Sequence, residues 1–144
     1  MPLNVLLVED NPGDARLTLE TFRDANKAVR LHAVSDGVEA MSFLNRQGPH
    51  AEAPRPVLIL LDLNLPKMDG REVLARIKGD PSLKTIPIVI LTTSDAESDV
   101  RKSYELQANC YLTKPVRLEE FETLVRSVND FWLTKVKFLE STKT

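Results

Sequence analysis

The stretch VLILLDLNLPKMDG, residues 57–70, constrains this chain more than any other. Residues 57–61 are apolar without a break, a pattern that suits a strand buried on both faces of a parallel sheet better than a strand with one wet face. The run stops on Asp62. Open α/β sheets place their chemistry at the carboxyl ends of the strands, so a carboxylate directly after this run stands where a reaction or a binding event is expected. Asn64, Pro66, Asp69 and Gly70 then make a polar, turn-rich exit into a helical pattern from Arg71.

Three further apolar runs end on polar residues in the same way. Residues 4–8 (NVLLV) lead to Glu9 and Asp10, then to Asn11, Pro12, Gly13 and Asp14, which turn the chain and start a helix. Residues 87–91 (PIVIL) close on Thr92, Thr93 and Ser94, and either Ser94 or Asp95 can cap a helix reaching to about Leu106. Residues 109–112 (NCYL) make a short strand before Thr113, Lys114 and Pro115. A helix from Ala15 carries Leu17, Leu19, Phe22 and Ala25 on one face, and residues 29–34 (VRLHAV) form another strand. Asp36 and Gly37 open a helix with Val38, Met41, Phe43 and Leu44, and the proline-rich residues 47–56 form a loop. Residues 72–78 and 118–133 are helical, with Val73, Leu74 and Ile77 on the first apolar side and Phe121, Leu124, Val125, Val128 and Trp132 on the second. Strands alternating with helices imply a doubly wound α/β fold: a five-stranded parallel sheet with five helices, covered on both faces because each right-handed crossover carries its helix.

At 144 residues, 42% hydrophobic and 28% charged, the chain suits one globular domain. Residues 1–133 fill that domain, and 134–144 are a C-terminal extension too short for an effector domain. A net charge of −2 provides no basic field for nucleic acid. The single cysteine, Cys110, excludes an internal disulfide and reads as a small buried hydrophobe. The first residues lack the basic flank and long apolar core of a signal peptide, and no apolar run approaches the roughly 20 residues that span a bilayer, so a cytoplasmic location is expected.

In a parallel sheet, Glu9 and Asp10, Asp62, Thr92 and Lys114 all fall at one edge. Three gathered carboxylates repel one another unless a divalent cation neutralises them, and Mg²⁺ prefers such hard oxygen ligands and bridges them to phosphate. Asp62 can then be both metal ligand and nucleophile towards a phosphoryl group, the Thr92 hydroxyl can donate to a phosphoryl oxygen, and Lys114 can neutralise the remaining charge. Each residue alone is an ordinary turn former, cap or surface charge. The acid pair, acid, hydroxyl and lysine at successive strand ends, in that order, are together much more specific. An aspartate-nucleophile phosphatase would place a second Asp two residues on as general acid, but Asn64 stands there and cannot exchange protons. A flavodoxin would need a phosphate-cradling loop after the first strand, where Glu9 and Asp10 repel phosphate. A regulator fused to a DNA-binding output fails on length.

From Val5 to about Trp132 the chain resembles the receiver domains of two-component response regulators, through the motifs LLVEDN, LLDLNLPKMDG, VILTTS and YLTKP. The resemblance implies a flavodoxin-like receiver fold with strand order 2-1-3-4-5. It also implies Mg²⁺ held by Asp10, Asp62 and the backbone carbonyl of Asn64, with Glu9 acting through water. Asp62 would be phosphorylated by a partner histidine kinase and the phosphoryl group read by Thr92 and Lys114, so the protein would be a phosphoacceptor rather than an enzyme of independent turnover. Glu9 stands where many relatives have a second Asp. Tyr111 matches the aromatic that swings inward as the threonine moves, the Lys114-Pro115 bond would be cis, and the fourth helix, fifth strand and fifth helix would form the output face. More narrowly, QGPHAEAPRPVLILLDLNLPKMDGREVL, YELQANCYLTKP and NDFWL look like the small stand-alone regulators of phytochrome kinases, which implies a light-sensing kinase and no chromophore on this chain.

Tyr104 is expected at the surface, and His32 and His50 have neither metal nor phosphorelay context. In the extension, Val136 and Phe138 alternate with lysines, so it reads as a short arm whose apolar side, with Phe131 and Trp132, needs cover. A homodimer through the output face and this arm is expected, with residues 141–144 as a frayed end.

Overall fold

The computed structural model describes residues 3–138. Its elements in chain order are β1 (Leu3–Val8), α1 (Pro12–Ala25), β2 (Val29–Val34), α2 (Gly37–Leu44), a 3-10 turn (Gly48–His50), β3 (Leu58–Leu61), α3 (Gly70–Lys78), β4 (Ile88–Thr92), α4 (Glu97–Glu105), β5 (Cys110–Thr113) and α5 (Leu118–Thr134). The strands pair in parallel in the order β2-β1-β3-β4-β5, as expected.

The unbroken apolar runs resolve into two cores because successive strand side chains point to opposite faces. Leu6 and Val8, Ile59 and Leu61, and Ile88 and Ile90 join Phe43, Val73, Leu74 and Ile77 beneath α2 and α3. Val5 and Leu7, Leu58 and Leu60, and Val89 and Leu91 join Phe22, Phe121, Val125 and Val128 beneath α1 and α5. All four residues of β3 are buried, and each such side chain contributes roughly 1.5–3 kcal/mol by leaving water.

Helix faces depart from the simple apolar stripe in two places. Val38, expected inside, is 47% exposed, and α2 buries Ala40, Phe43 and Leu44 instead. In α1 the buried positions are Thr18, Thr21 and Phe22, while Leu17 and Leu19 are only partly covered. Threonine suits this face because its hydroxyl can bond within the helix, as Thr18 Oγ1 does by donating to the Asp14 carbonyl at 2.8 Å. Capping also differs at α4. Ala96 is its N-cap, with no side-chain cap, because Ser94 turns its hydroxyl to Asp99 and Asp95 is exposed.

Beyond α5, Trp132 and Phe138 pack against the core beneath α1 and α5, whereas Phe131 stays 57% exposed with Trp132 edge-on at 5.7 Å. The expected frayed end, residues 141–144, lies outside the described residues. No described helix is long and apolar enough to cross a membrane.

Candidate functional site

Hydrogen bonding between neighbouring strands carries on one residue past their ends, and that extra residue is in each case one of the candidate site residues. The Glu9 N–H donates to the Val34 carbonyl at 3.0 Å, the Asp62 N–H to that of Val8 at 3.0 Å, and the Lys114 N–H to that of Thr92 at 2.7 Å. The backbone at these positions is therefore held as firmly as in the sheet. Gly70 finishes the placement of Asp62. Its N–H donates to the Leu63 carbonyl at 2.9 Å, and a Cβ there would come within 2.2 Å of the Asp62 carbonyl oxygen, so only glycine lets α3 start this close to β3.

The side chains then converge. Thr92 Oγ1, fully buried, donates to Asp62 Oδ1 at 2.7 Å, and the Asn64 N–H donates to the same oxygen at 3.1 Å. Lys114 Nζ donates to Asp62 Oδ2 at 3.1 Å, to Glu9 Oε1 at 2.5 Å and to Asp14 Oδ2 at 3.0 Å. An ammonium has three donors, and these acceptors use all of them. Glu9 Oε2 accepts from the Asn11 N–H at 3.0 Å.

Burial sets the charge states. Burial pushes the Glu9 carboxyl up to about 7, against the opposing pull of its hydrogen bonds from Lys114 and the Asn11 N–H. Burial alone would lower the Lys114 amine, but the hydrogen bond and charge of Glu9, then Asp62 and Asp14, raise it above an ordinary lysine. One buried cation thus stands among three acids. Glu9, Asp10 and Asp62 each offer an oxygen within 4.8 Å of the others, with Asp10 on the exposed side. That donor set of hard oxygens, open on one side, fits a Mg²⁺ ion that keeps some of its waters.

Residues 5–126 match the response regulator receiver domain. The chain belongs to that family. Over 94% of its length it is 52% identical to the response regulator Rcp1 of Synechocystis, covering 92% of that protein. The crystal structure of the Mn²⁺-bound form of Rcp1 superposes with a TM-score of 0.93 at 50% identity, covering 96% of this chain and all of that one. The phosphorylated cyanobacterial phytochrome response regulator RcpA superposes with a TM-score of 0.94 at 46% identity, covering 97% of this chain and all of that one.

In this receiver Asp62, Thr92, Lys114, Glu9 and Asp10 all meet at one sheet edge. Asn64 enters through its backbone, and its side chain is exposed. Tyr111, on β5, already points inward: its hydroxyl donates to the Ser94 carbonyl at 2.8 Å. Tyr104 is 49% exposed, and its hydroxyl oxygen accepts the Tyr111 N–H at 3.1 Å. One implied feature is corrected. Among the described residues no peptide bond is cis, so Lys114-Pro115 is trans, the isomer favoured by about 0.5–1 kcal/mol before proline, and Lys114 reaches all its partners from it.

Cys110 is half-buried, and burial raises its thiol pKa, consistent with an inert packing role. The His32 ring is 3.0 Å from Asn4 Oδ1, and the His50 ring packs against Phe43, so both are occupied structurally. Asp14 was missed by sequence reasoning. It looked like part of a helix start, and its only signal was a third acid in the loop after β1.

Proposed function

We propose that this receiver is a stand-alone response regulator of a two-component phosphorelay, in which Asp62 accepts a phosphoryl group from a histidine kinase of the phytochrome class. The contact set of Asp62 with Thr92 and Lys114 carries the reading. A carboxylate oxygen of Asp62 attacks phosphorus, the P–O bond forms, and the donor's bond to phosphorus breaks with the electron pair leaving on the donor. The groups now bonded to Asp62 are already within reach of the product. Thr92 and the Asn64 N–H on Oδ1, and Lys114 on Oδ2, can each transfer to a phosphoryl oxygen.

Asp10, Asp62 and the Asn64 carbonyl would hold Mg²⁺, with Glu9 acting through water. When bound, the ion supplies charge neutralisation between carboxylates and phosphoryl oxygens. Thr92 and Tyr111 form the switch, since a phosphoryl group shifts a two-state equilibrium only through contacts that differ between the states. The readout is the face of α4, β5 and α5, where Tyr104, Val116 and Leu118 are exposed.

Likeness to Rcp1, and to RcpA as a phytochrome response regulator, supports the kinase class. On this reading the chain acts in the cytoplasm as receiver 1–133 with extension 134–144, carries no chromophore, binds no nucleic acid, turns over no independent substrate and pairs as a homodimer through the output face and the arm. Sedimentation showing only monomer at high concentration, phosphorylated or not, removes the dimer.

The decisive experiment is incubation with Mg²⁺ and acetyl phosphate, followed by intact mass. One labile phosphate on the wild type and none on Asp62→Asn supports the assignment. Steady release of phosphate from varied monoesters would replace it with a phosphatase.

A further inference from the structure

Helix α4 is weakly anchored by apolar contact. Ser103 is its only buried residue. Such an element keeps its place through polar ties, and here the strongest is one guanidinium. Arg71 Nε and Nη2 donate to Asp99 Oδ1 and Oδ2 at 3.0 and 2.9 Å, a two-pronged grip on α4. Its Nη1 donates to Asp69 Oδ1 at 2.9 Å and to the Leu63 carbonyl at 3.5 Å, on the loop that follows Asp62. Asp99 Oδ2 also accepts from Ser94 Oγ at 2.6 Å, and the Ser94 carbonyl is the one that receives the Tyr111 hydroxyl. The hydrogen bond from Arg71 holds the Asp99 carboxyl below its usual range, so the pair stays charged. This chain of contacts runs from Leu63 to Tyr111 around the site without touching Asp62 or Thr92.

We infer that Arg71, Asp99 and Ser94 form a positioning network that keeps the β4–α4 loop in the shape that receives Tyr111, and so sets how readily the switch closes. The inference rests on the assignment of Asp62, Thr92 and Tyr111 above. Ser94 lies two residues after Thr92 in a loop outside regular structure, and its carbonyl faces Tyr111 only while that loop is fixed. The Ser94 side chain fixes it to Asp99, and Arg71 fixes Asp99 to the loop beside Asp62. A bidentate guanidinium–carboxylate pair sets both distance and plane, which a lysine at the same position cannot do.

The chain has two tyrosines, so incorporation of 3-fluorotyrosine yields two fluorine resonances, assigned through Tyr104→Phe. In Asp99→Asn and in Arg71→Gln the Tyr111 resonance should move towards that of free fluorotyrosine. The Asp62 adduct should form about fivefold more slowly from acetyl phosphate, the low end of ordinary coupling between sites. The double variant should be no worse than either single, because both cut the same tie. Arg71→Lys should recover only part of the loss. Should Arg71→Gln fail to fold, Ser94→Ala tests the same tie from the other side. An unmoved Tyr111 resonance with an unchanged adduct rate in folded Asp99→Asn overturns the network. A wild type that takes up no phosphate would instead defeat the assignment of Asp62, and the Tyr111 resonance alone would then decide the network.

Discussion

Replacing Lys114 with methionine tests the electrostatics of the site most directly. The Lys114, Glu9 and Asp62 side chains are 5%, 4% and 7% exposed, so the variant strands two buried carboxylates without their cation. Removing one partner of a buried pair costs about 3–5 kcal/mol, and we expect about 3 kcal/mol at pH 8.5 in the presence of a chelator. The loss should depend on pH in one direction. A carboxyl whose folded pKa is raised, as Glu9's is to about 7, contributes stability that is fully present below its unfolded value and is lost as pH rises through the folded value. Lys114 lowers the Glu9 pKa by hydrogen bond and charge, so without it that loss moves to higher pH. Below about pH 7 both proteins carry a protonated Glu9. Above it the wild type ionises first, against an available ammonium, while the variant must hold its proton or bury a bare charge. The deficit therefore grows as pH rises, by about 1.4 kcal/mol for each pH unit over which only the variant is protonated. Urea titrations at pH 6.0 and 8.5 measure this, and a melting shift of roughly 10 °C should accompany it at the higher pH. A loss under about 1 kcal/mol, or one equal at both pH values, refutes the picture of a desolvated cation holding two buried acids.

Mg²⁺ binding to the wild type should be roughly tenfold weaker at pH 6 than at pH 8, because Glu9 must give up its proton to take part, and Glu9→Gln should flatten that dependence in calorimetric titrations. Gly70→Ala should cost about 1–3 kcal/mol in urea unfolding and slow adduct formation, since the new methyl displaces the Asp62 carbonyl. Thr92→Ala removes a buried donor from Asp62 Oδ1, and about 1 kcal/mol of stability should go with it. In that variant the Asp62 adduct should still form, visible by mass, but Tyr111 should no longer respond to it.

Much of this protein is local information. Apolar runs such as residues 57–61 already imply strands covered on both faces, because side chains alternate along any strand and none of the five is polar. Asp62, Thr92, Lys114, Glu9 and Asp10 were legible for the same reason: each follows such a run directly, and parallel strands share one carboxyl edge. Contacts between elements far apart in the chain were not legible. That Asp14 would claim the third donor of Lys114 depends on the first turn of α1 coming beside the residue that follows β5. The grip of Arg71 on Asp99 depends on the first turns of α3 and α4 coming together, and Val38 is exposed because no described residue covers that side of α2. A pattern along one element shows which face seeks cover and which end carries polar groups. Only the packed structure decides which distant charge comes within about 3 Å, and at that range burial and pairing determine what the charge can do.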